Sequence, residues 1–373
     1  MKKIAVLLIA LLSVFVESLA CTSAIVASHR SSEGAPLLWK HRDSKDGNSH
    51  VEYVATGKYA YTASVPNSKR YTEAVFMGIN EKGLGVMNTA TKKLPKATVE
   101  EYAACSSEPT NYIFSRLMRF ALSDCATVDE FEAFLRKTKR KRGFCTNIGI
   151  ADAEGNAAYF EIWDLGYCRY DVKDMSQGFD VRSNFSFKGD PNFGTSKRRY
   201  DLIMGEMSAH DGNFTPQQFM EYSRSYKSIA FGDVLATDDL FICENHTVPR
   251  STTVSSAVMV CDKENPRMLV MNGHTVSSLA VPVYVKANDA IPQCVKGDSM
   301  RLLSDSFCAK AYTKGKYEGS ELRKDVVRAV LKIKQPNIDM PKALPMDMES
   351  FNDHIDKLYI KYEKQVRKVL KRY

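Results

Sequence analysis

The segment CTSAIVASHRSSEGAPLLWKHRD, residues 21–43, contains the pattern most informative about the fold of this chain. It contains an apolar strand pattern over residues 22–28, a loop rich in Ser, Gly and Pro, and a second strand pattern that ends at Asp43. In an antiparallel pair, the end of the second strand lies beside the start of the first. We therefore expect Arg42 and Asp43 to lie next to Cys21.

The residues before Cys21 have the pattern of a cleaved secretory signal. Two lysines precede an apolar run over residues 4–16, which is too short to cross a bilayer. Ser18 and Ala20 then place small residues at the −3 and −1 positions of a signal-peptidase site. The sequence predicts an exported protein, periplasmic or secreted, whose mature chain begins at Cys21. No later run of apolar residues is long enough to predict an integral membrane segment.

A second interpretation of Cys21 remains open, because bacterial lipoproteins also begin with a cysteine, which carries the lipid. Ala20 fits both interpretations, but Ser18 differs from the Leu-type residue that lipoproteins prefer at −3. Residues 22–26 enter a strand at once, where a lipoprotein usually has a flexible tether. These features favour a catalytic cysteine over a lipid-anchored, non-catalytic surface protein.

Composition and charge exclude few classes of protein. The 373 residues are 44% apolar and 26% charged, which is typical of globular proteins, and the net charge is +8. The basic runs at 137–142, 197–199 and 357–372 are interpreted as solvated surface. Because no nucleic-acid-binding motif accompanies them, we expect no nucleic-acid partner.

Nine cysteines follow residue 20, and export places them in an oxidising compartment. Eight of them could form as many as four disulfides, with Cys21 as the natural odd one, whereas the alternative is that several are buried and reduced. No C-x-x-C pair and no histidine at zinc-ligand spacing is present. We expect no metal site and no cofactor.

The rest of the chain alternates hairpin and helix patterns. Hairpins are predicted over residues 74–89, 147–163 and 257–271, and helices over residues 111–123, from 127 onward, 196–207 and 215–225. Strands in groups with helices between them indicate a layered α+β fold.

The C-terminal part differs in kind. Residues 320–334 and 347–372 are predicted to be amphipathic helices, the second docked on the body or, alternatively, binding a membrane surface or a partner. A composition shift near 288–296 marks a boundary. We therefore divide the chain into a signal peptide (1–20), a catalytic domain (21–290) and a helical C-terminal extension (291–373).

An N-terminal cysteine can act as a complete catalyst. Its thiol is the nucleophile and its own α-amine the base, with ordinary pKa values of about 8.5 and about 7.7–8.0. Arg42 would favour the thiolate, and Asp43 would hold the amine through a hydrogen bond. Attack on an amide produces an oxyanion that requires nearby donors, and then an acyl-thioester on Cys21.

Five segments, in this order, resemble the cysteine branch of the N-terminal nucleophile (Ntn) hydrolases. They are CTS at 21–23, LLWKHRD at 37–43, GINEKGLG at 78–85, NIGIADAEG at 147–155 followed by Glu161, and VRSNF at 181–185. This branch includes choloylglycine hydrolases, penicillin V acylases, acid-ceramidase-like amidases and acyl-CoA:6-aminopenicillanic-acid acyltransferase-like proteins. The resemblance covers residues 21–275, and the stretch after 290 resembles no family.

The resemblance implies an Ntn-hydrolase αββα sandwich and assigns roles by position. Cys21 would be the nucleophile and Asp43 the group that orients its amine. Asn184 would donate to the oxyanion from its side chain, and Asn88 would lie near the second donor.

One departure from the family concerns the active-site cation. Choloylglycine-type members carry Arg three residues before the Asp, where this chain has Lys40, and here Arg42 directly precedes the Asp. Because neighbours on a strand point to opposite faces, either Lys40 or Arg42 could be that cation. Asn147 and Arg250 are further candidates for substrate binding.

The sequence therefore predicts a hydrolase of linear, non-peptide C–N bonds that acts on a small-molecule N-acylated amine. An N-acyltransferase that uses the same acyl-enzyme is the alternative within this chemistry. The acyl group and the amine stay open, and a homo-oligomer is a further expectation from the resemblance.

Overall fold

The computed structural model describes residues 21–44, 49–67, 74–91, 94, 114–137, 145–163, 165–189, 194–236, 246–313 and 321–373. The proposed signal peptide (1–20), Cys105, Cys243 and the start of the helix predicted from 111 lie outside these ranges.

Antiparallel strands make up most of the body. They are β1 (Cys21–Val26), β2 (Leu37–Asp43), β3 (Ser49–Val54), β4 (Tyr61–Pro66), β5 (Met77–Asn80), β6 (Gly85–Ala90), β7 (Thr146–Ala151), β8 (Ala157–Ile162), β9 (Tyr167–Asp171), β10 (Phe179–Arg182), β11 (Lys227–Ser228), β12 (Gly232–Asp233), β13 (Thr253–Val260), β14 (Arg267–Asn272), β15 (Val281–Tyr284), β16 (Tyr312–Thr313) and β17 (Glu321–Leu322). The helices are α1 (Phe114–Asp124), α2 (Val128–Lys137), α3 (Gly194–Ser208), α4 (Pro216–Tyr222), α5 (Gln293–Lys296), α6 (Ser299–Ala311), α7 (Lys324–Leu331) and α8 (Met348–Leu370). The predicted hairpins at β5–β6, β7–β8 and β13–β14 are confirmed.

Two large sheets form the centre of the molecule. The first has six strands in the order β10-β1-β2-β13-β14-β15, and the second is a seven-stranded meander from β3 to β9. Strand β1 therefore lies inside the first sheet, paired with β2 on one side and β10 on the other.

The two sheets pack face to face, with helices on both outer surfaces. Ile25 and Leu38 of the first sheet share one apolar cluster with Met87 and Tyr159 of the second. Helices α1 and α2 cover the outer face of the seven-stranded sheet. Helices α3 and α4 cover the outer face of the six-stranded sheet. This arrangement is an αββα sandwich, as predicted.

Coverage on both faces explains the composition of the central strands. All residues of β1 and β2 are buried, because odd positions of β1 face the other sheet and even positions face the helices. Ala24 and Trp39 pack under α3 and α4, whereas Ile25 and Leu38 lie between the sheets. Polar residues in these strands are therefore buried, and each needs a partner inside the protein.

Asn80 fastens the β5–β6 hairpin to the end of α1. Its Oδ1 accepts from the backbone N–H groups of Lys82 and Leu84, both over 3.0 Å. Its Nδ2 donates to the backbone oxygens of Leu122 (2.9 Å) and Cys125 (2.8 Å). The asparagine of the GINEKGLG segment is thus a structural crosslink.

Asp152 has the same kind of role at the β7–β8 turn. Its Oδ1 accepts from the backbone N–H groups of Glu154 and Asn156, both over 3.0 Å. Its Oδ2 accepts from the backbone N–H of Val128 over 2.9 Å, at the first turn of α2. A carboxylate there satisfies an N–H group without an intrahelical partner and complements the helix dipole.

The C-terminal extension shares its core with the sandwich. The buried seam of α8 consists of Ile355, Tyr359, Tyr362, Val366 and Leu370, which belong to the same cluster as Ile25 and Leu38. Asp356 accepts from the backbone N–H groups of Gln293 (2.9 Å) and Cys294 (2.8 Å), at the start of α5. Helix α8 is therefore docked on the body, and no described helix is long and apolar enough to span a membrane.

Of the two alternatives for the cysteines, the structure agrees with the one in which several are buried and reduced. Cys21, Cys125, Cys168, Cys261 and Cys294 are free thiols, which leaves four cysteines and at most two bridges. Most of these cysteines are buried, and a cysteine can pack in a core as a small apolar side chain without forming a disulfide.

Candidate active site

Cys21 lies at the start of β1, between the two sheets. It is 1% exposed, and its side chain is on the same face of the strand as Ile25, towards the seven-stranded sheet. Its cross-strand neighbour on β2 is Arg42, as predicted from the sequence.

Lys40 and Arg42 both point to the thiol side of the sheet. They are two residues apart on β2, so they share a face, and their partners on β1 are Ser23 and Cys21. The charge of Lys40 acts on the Cys21 thiol, and its ammonium donates to the backbone oxygen of Asn88. The guanidinium of Arg42 lies 3.4 Å from the ring centroid of Phe76, which holds it in place. The two alternatives for the cation therefore both lie on the thiol side of the sheet, and Lys40 has the larger effect on the thiol.

These two cations change the acidity of the thiol. Burial acts to raise the pKa of Cys21, but the charges of Lys40 and Arg42 outweigh it, and the pKa is lowered. At the equally inaccessible Cys261, burial raises the pKa of the thiol, and the carboxylates of Asp152 and Asp262 act in the same direction. Burial lowers the pKa of Lys40 to about 8, against the opposing effect of the Cys21 thiolate. Each member of the pair therefore favours the charged form of the other, which promotes ionisation of the thiol.

Asp43 lies on the opposite face of β2, where polar and charged side chains surround its carboxylate. Its Oδ1 accepts from the hydroxyl of Thr253 over 2.8 Å and lies 3.5 Å from Nε2 of His41. Burial acts to raise the pKa of Asp43, but His41, Arg250 and Arg199 together lower it. The buried Oδ2 has no hydrogen-bond partner in the described part of the chain. Asp43 is thus an ionised carboxylate with accepting capacity left at the end of β2.

The backbone of Cys21 is held from both sides. Its N–H donates to Oδ1 of Asn184 over 2.5 Å. Its carbonyl oxygen accepts from Arg199 over 2.8 Å and from the hydroxyl of Ser183 over 3.2 Å. Arg199 also donates to Oδ1 of Asn184 over 3.2 Å, and Nδ2 of Asn184 donates to the carbonyl oxygen of Ala90 over 2.7 Å. The side chain of Asn184, an expected oxyanion donor, therefore lies at the first residue of β1.

Arg199 is a site residue that the sequence reasoning missed. The run 197–199 was interpreted as solvated surface, but Arg199 is only 1% exposed. Ser196, Ile203 and Met207 are buried with it, at spacings of three, four and eight residues on α3. That helical spacing was the signal that could have identified Arg199 as inward-facing. Burial lowers its pKa to about 10, so it stays charged near neutral pH.

Asn147 braces the segment that carries Asn184. Its Nδ2 donates to the backbone oxygens of Ser183 (3.2 Å) and Phe185 (2.8 Å), which flank Asn184. It also donates to the hydroxyl of Thr89 over 3.1 Å. Its contacts are those of a positioning residue.

Asn88 and Arg250 are connected to the site through different neighbours: Asn88 through Lys40, and Arg250 through Asp43. Asn88 follows Val86 on the outer face of its sheet, and its Nδ2 donates to the hydroxyl of Thr146 over 3.4 Å. The contact of Asn88 with the site is made by its backbone oxygen, which accepts a hydrogen bond from Lys40, and not by its side chain. Arg250 is buried on the Asp43 side, where its charge acts on that carboxylate.

The arrangement gathers charged and polar groups around the first residue of β1. A thiol with a lowered pKa lies on one face of the sheet, a carboxylate and two arginines lie on the other, and the side chain of Asn184 is hydrogen-bonded to the backbone between them. No group of three His, Cys, Asp or Glu side chains in the described ranges is placed to hold a metal ion.

Solved structures similar to this chain include three amide hydrolases. The Caenorhabditis elegans N-acylethanolamine-hydrolyzing acid amidase (NAAA) ortholog is 21% identical over 65% of this chain and 93% of its own, with a TM-score of 0.41. A mutant of the conjugated bile acid hydrolase from Clostridium perfringens is 13% identical over 74% of this chain and 94% of its own, with a TM-score of 0.46. Penicillin V acylase from Agrobacterium tumefaciens is 14% identical over 68% of this chain and 83% of its own, with a TM-score of 0.40. No protein-family model and no curated protein matches the sequence.

Proposed function

We propose that this chain is an N-terminal-cysteine amidohydrolase of the Ntn type, which cleaves linear amides through an acyl-thioester on Cys21. The observation that carries the proposal is the pairing of Cys21 with Lys40 inside the sandwich. A fully buried thiol has a raised pKa unless a charge compensates for burial, and Lys40 and Arg42 provide that charge. A pairing of this kind, at the first residue of a central strand, fits a nucleophile better than a packing residue.

The chemistry begins at the sulfur. The thiolate attacks the amide carbonyl carbon, a C–S bond forms, and the carbonyl π electrons move to the oxygen. Collapse of this intermediate breaks the C–N bond, and the departing nitrogen takes a proton and leaves as the amine. Water then attacks the thioester carbonyl and releases the acid, which regenerates the thiol.

Proton transfer is assigned to the α-amine of Cys21. Removal of residues 1–20 would convert the Cys21 amide into a free amine with a pKa of about 7.7–8.0. Asp43, ionised and with Oδ2 available, would accept a hydrogen bond from that amine and orient it. In this assignment Asp43 acts on the amine and Lys40 acts on the thiol.

The oxyanion is assigned to Asn184. Its side chain lies at the backbone of Cys21, and both Arg199 and the Asn147 brace limit its movement. A donor fixed before the reaction stabilises developing charge without the cost of reorganisation.

Export and cleavage after Ala20 are part of the proposal. The first test is the intact mass of the protein recovered from its native export route. We expect a mass that begins at an unmodified Cys21, whose thiol reacts with an alkylating agent. A mass increased by a diacylglyceryl and a fatty-acyl group would block the thiol and the amine, and would establish the lipid-anchored alternative.

Turnover is tested next, on a panel of N-acyl amines that includes bile-acid amides, acyl-amino acids, penicillins and lipid amides. We expect Cys21→Ala to abolish turnover, with Cys168→Ala as the matched control, because Cys168 is a free and partly exposed thiol. Turnover by Cys21→Ala equal to that of the control would overturn the assignment. Adding a second amine to the assay separates hydrolysis from acyl transfer, because a transferase forms mainly the new amide and a hydrolase mainly the free acid.

A further inference from the structure

Helix α8 carries a regular row of lysines on the face that points away from the protein. Lys357, Lys361, Lys364, Lys368 and Lys371 are all exposed and follow one another at spacings of three or four residues. At 3.6 residues per turn, they lie within an arc of about 80° along roughly 21 Å of helix. This set is called the lysine face below.

The lysine face is opposite the seam that docks the helix. Tyr359, Tyr362 and Val366 pack into the core, and the lysines project from the other side of the same turns. Because the buried seam fixes the rotation of α8, the body of the protein holds the lysine face in one orientation.

Carboxylates do not neutralise this surface. No described Asp or Glu forms an ion pair with any of the five lysines. Glu363, on the flank of the helix, pairs with Arg367 over 2.7 Å, and Asp356 is engaged at the start of α5. Residues 357–372 carry a net charge of +6, most of the excess charge of the chain.

Apolar side chains accompany the charge. Ile360, 47% exposed, lies on α8 between the turns of Lys357 and Lys364. Leu302, 49% exposed, lies on α6, which runs parallel to α8, because Ser299 contacts Tyr359 and Ser306 contacts Arg367. Since the apolar seam of α8 is buried in the protein, contact with a membrane would depend on the basic face and on these exposed apolar side chains, and clusters of lysines are attracted to anionic lipid.

We propose that the lysine face docks the protein on the surface of an anionic lipid bilayer. The row is straight and projects from one helix, which suits a flat, negatively charged surface. The lysine stems and Ile360 can reach the acyl boundary while the ammonium groups stay among the headgroup phosphates. An acidic peptide would instead need a groove or a free strand edge, and α8 offers neither.

The test is co-sedimentation of the purified protein with vesicles, either phosphatidylcholine alone or phosphatidylcholine with phosphatidylglycerol. We expect binding to the anionic vesicles and release at high salt, because surface charges are screened within about 10 Å at 0.1 M salt. The triple variant Lys361→Gln/Lys364→Gln/Lys368→Gln should bind about 100-fold more weakly, since each lysine near such a surface contributes roughly fivefold.

The control is Lys173→Gln/Lys263→Gln/Lys334→Gln, which removes the same charge from exposed lysines elsewhere and should bind as the parent does. Equal binding by the two triple variants, or equal binding to neutral and anionic vesicles, would overturn the proposal. So would a double-stranded DNA competitor that binds more tightly than the anionic vesicles. An unchanged thermal unfolding temperature shows that the variants are folded.

Discussion

Arg199 donates a hydrogen bond to the carbonyl oxygen of Cys21 over 2.8 Å, across 178 positions of sequence. The same guanidinium donates to Oδ1 of Asn184 over 3.2 Å. One helical side chain therefore ties the candidate nucleophile to the candidate oxyanion donor. Because the guanidinium is planar and forked, a lysine cannot make both contacts in the same way.

We expect Arg199→Lys to lower kcat about 100-fold, because a displacement of about 1 Å at a reacting group has an effect of that size. Arg198→Lys is the matched control, since Arg198 is the neighbouring arginine and contacts His246 rather than the cysteine. The measurement is kcat and KM on an accepted amide. A role in orientation predicts a loss in kcat with KM little changed, and equal kcat values for the two variants would contradict it.

Lys40 is expected to control ionisation of the thiol. A nearby positive charge favours the thiolate, so its removal must raise the pKa of Cys21. We expect Lys40→Met to move the thiol titration to higher pH, and Lys40→Arg to keep it low. The measurement is the ultraviolet absorbance of the thiolate against pH, corrected with Cys21→Ala.

The parent and Lys40→Arg should differ above pH 8. As pH rises through about 8, the parent loses the Lys40 charge and with it part of the thiolate stabilisation, whereas an arginine stays charged. The thiolate titration of the parent should therefore be broadened, and that of Lys40→Arg should follow a single ionisation. Identical curves for Lys40→Met and the parent would show that Arg42 alone sets the acidity.

Asn184→Ala is expected to lower turnover by about 10²–10³-fold, as the loss of one oxyanion donor does. Asn213→Ala, at an exposed loop position, is the control and should be neutral. Because the donor acts on the transition state, the loss should fall on kcat rather than on KM. An unchanged kcat would move the oxyanion role to another group.

The sequence was most informative where the chemistry is local in the chain. The pairing of Cys21 with Arg42 follows from a short antiparallel connection, and it is observed. The opposite orientation of Asp43 follows from the alternation of side chains along the same strand. Those relations depend only on strand geometry, so residues 21–43 were sufficient to predict them.

The partners from distant segments could not be predicted in this way. Thr253, which donates to Asp43, comes from β13, 210 positions away, and no local pattern brings it there. Arg199 belongs to a basic run that also contains exposed residues, so the composition of the run does not show that this arginine is buried. Helix α6 was missed although Met300, Leu303 and Phe307 have helical spacing, so in that case the signal was present.

A stability prediction separates the structural asparagine from the catalytic ones. Asn80→Ala removes four hydrogen bonds and leaves the backbone oxygens of Leu122 and Cys125 without this donor in a buried place. Because a buried polar group that loses its partner costs about 1–3 kcal/mol, we expect the free energy of unfolding to fall by about 2–4 kcal/mol. Chemical denaturation measures this loss, again with Asn213→Ala as the control.

The folded fraction of Asn80→Ala should keep its turnover per active site, because Asn80 contacts the end of α1 and not the cysteine. A stable but inactive Asn80→Ala protein would contradict the structural role and place the GINEKGLG segment in the active site.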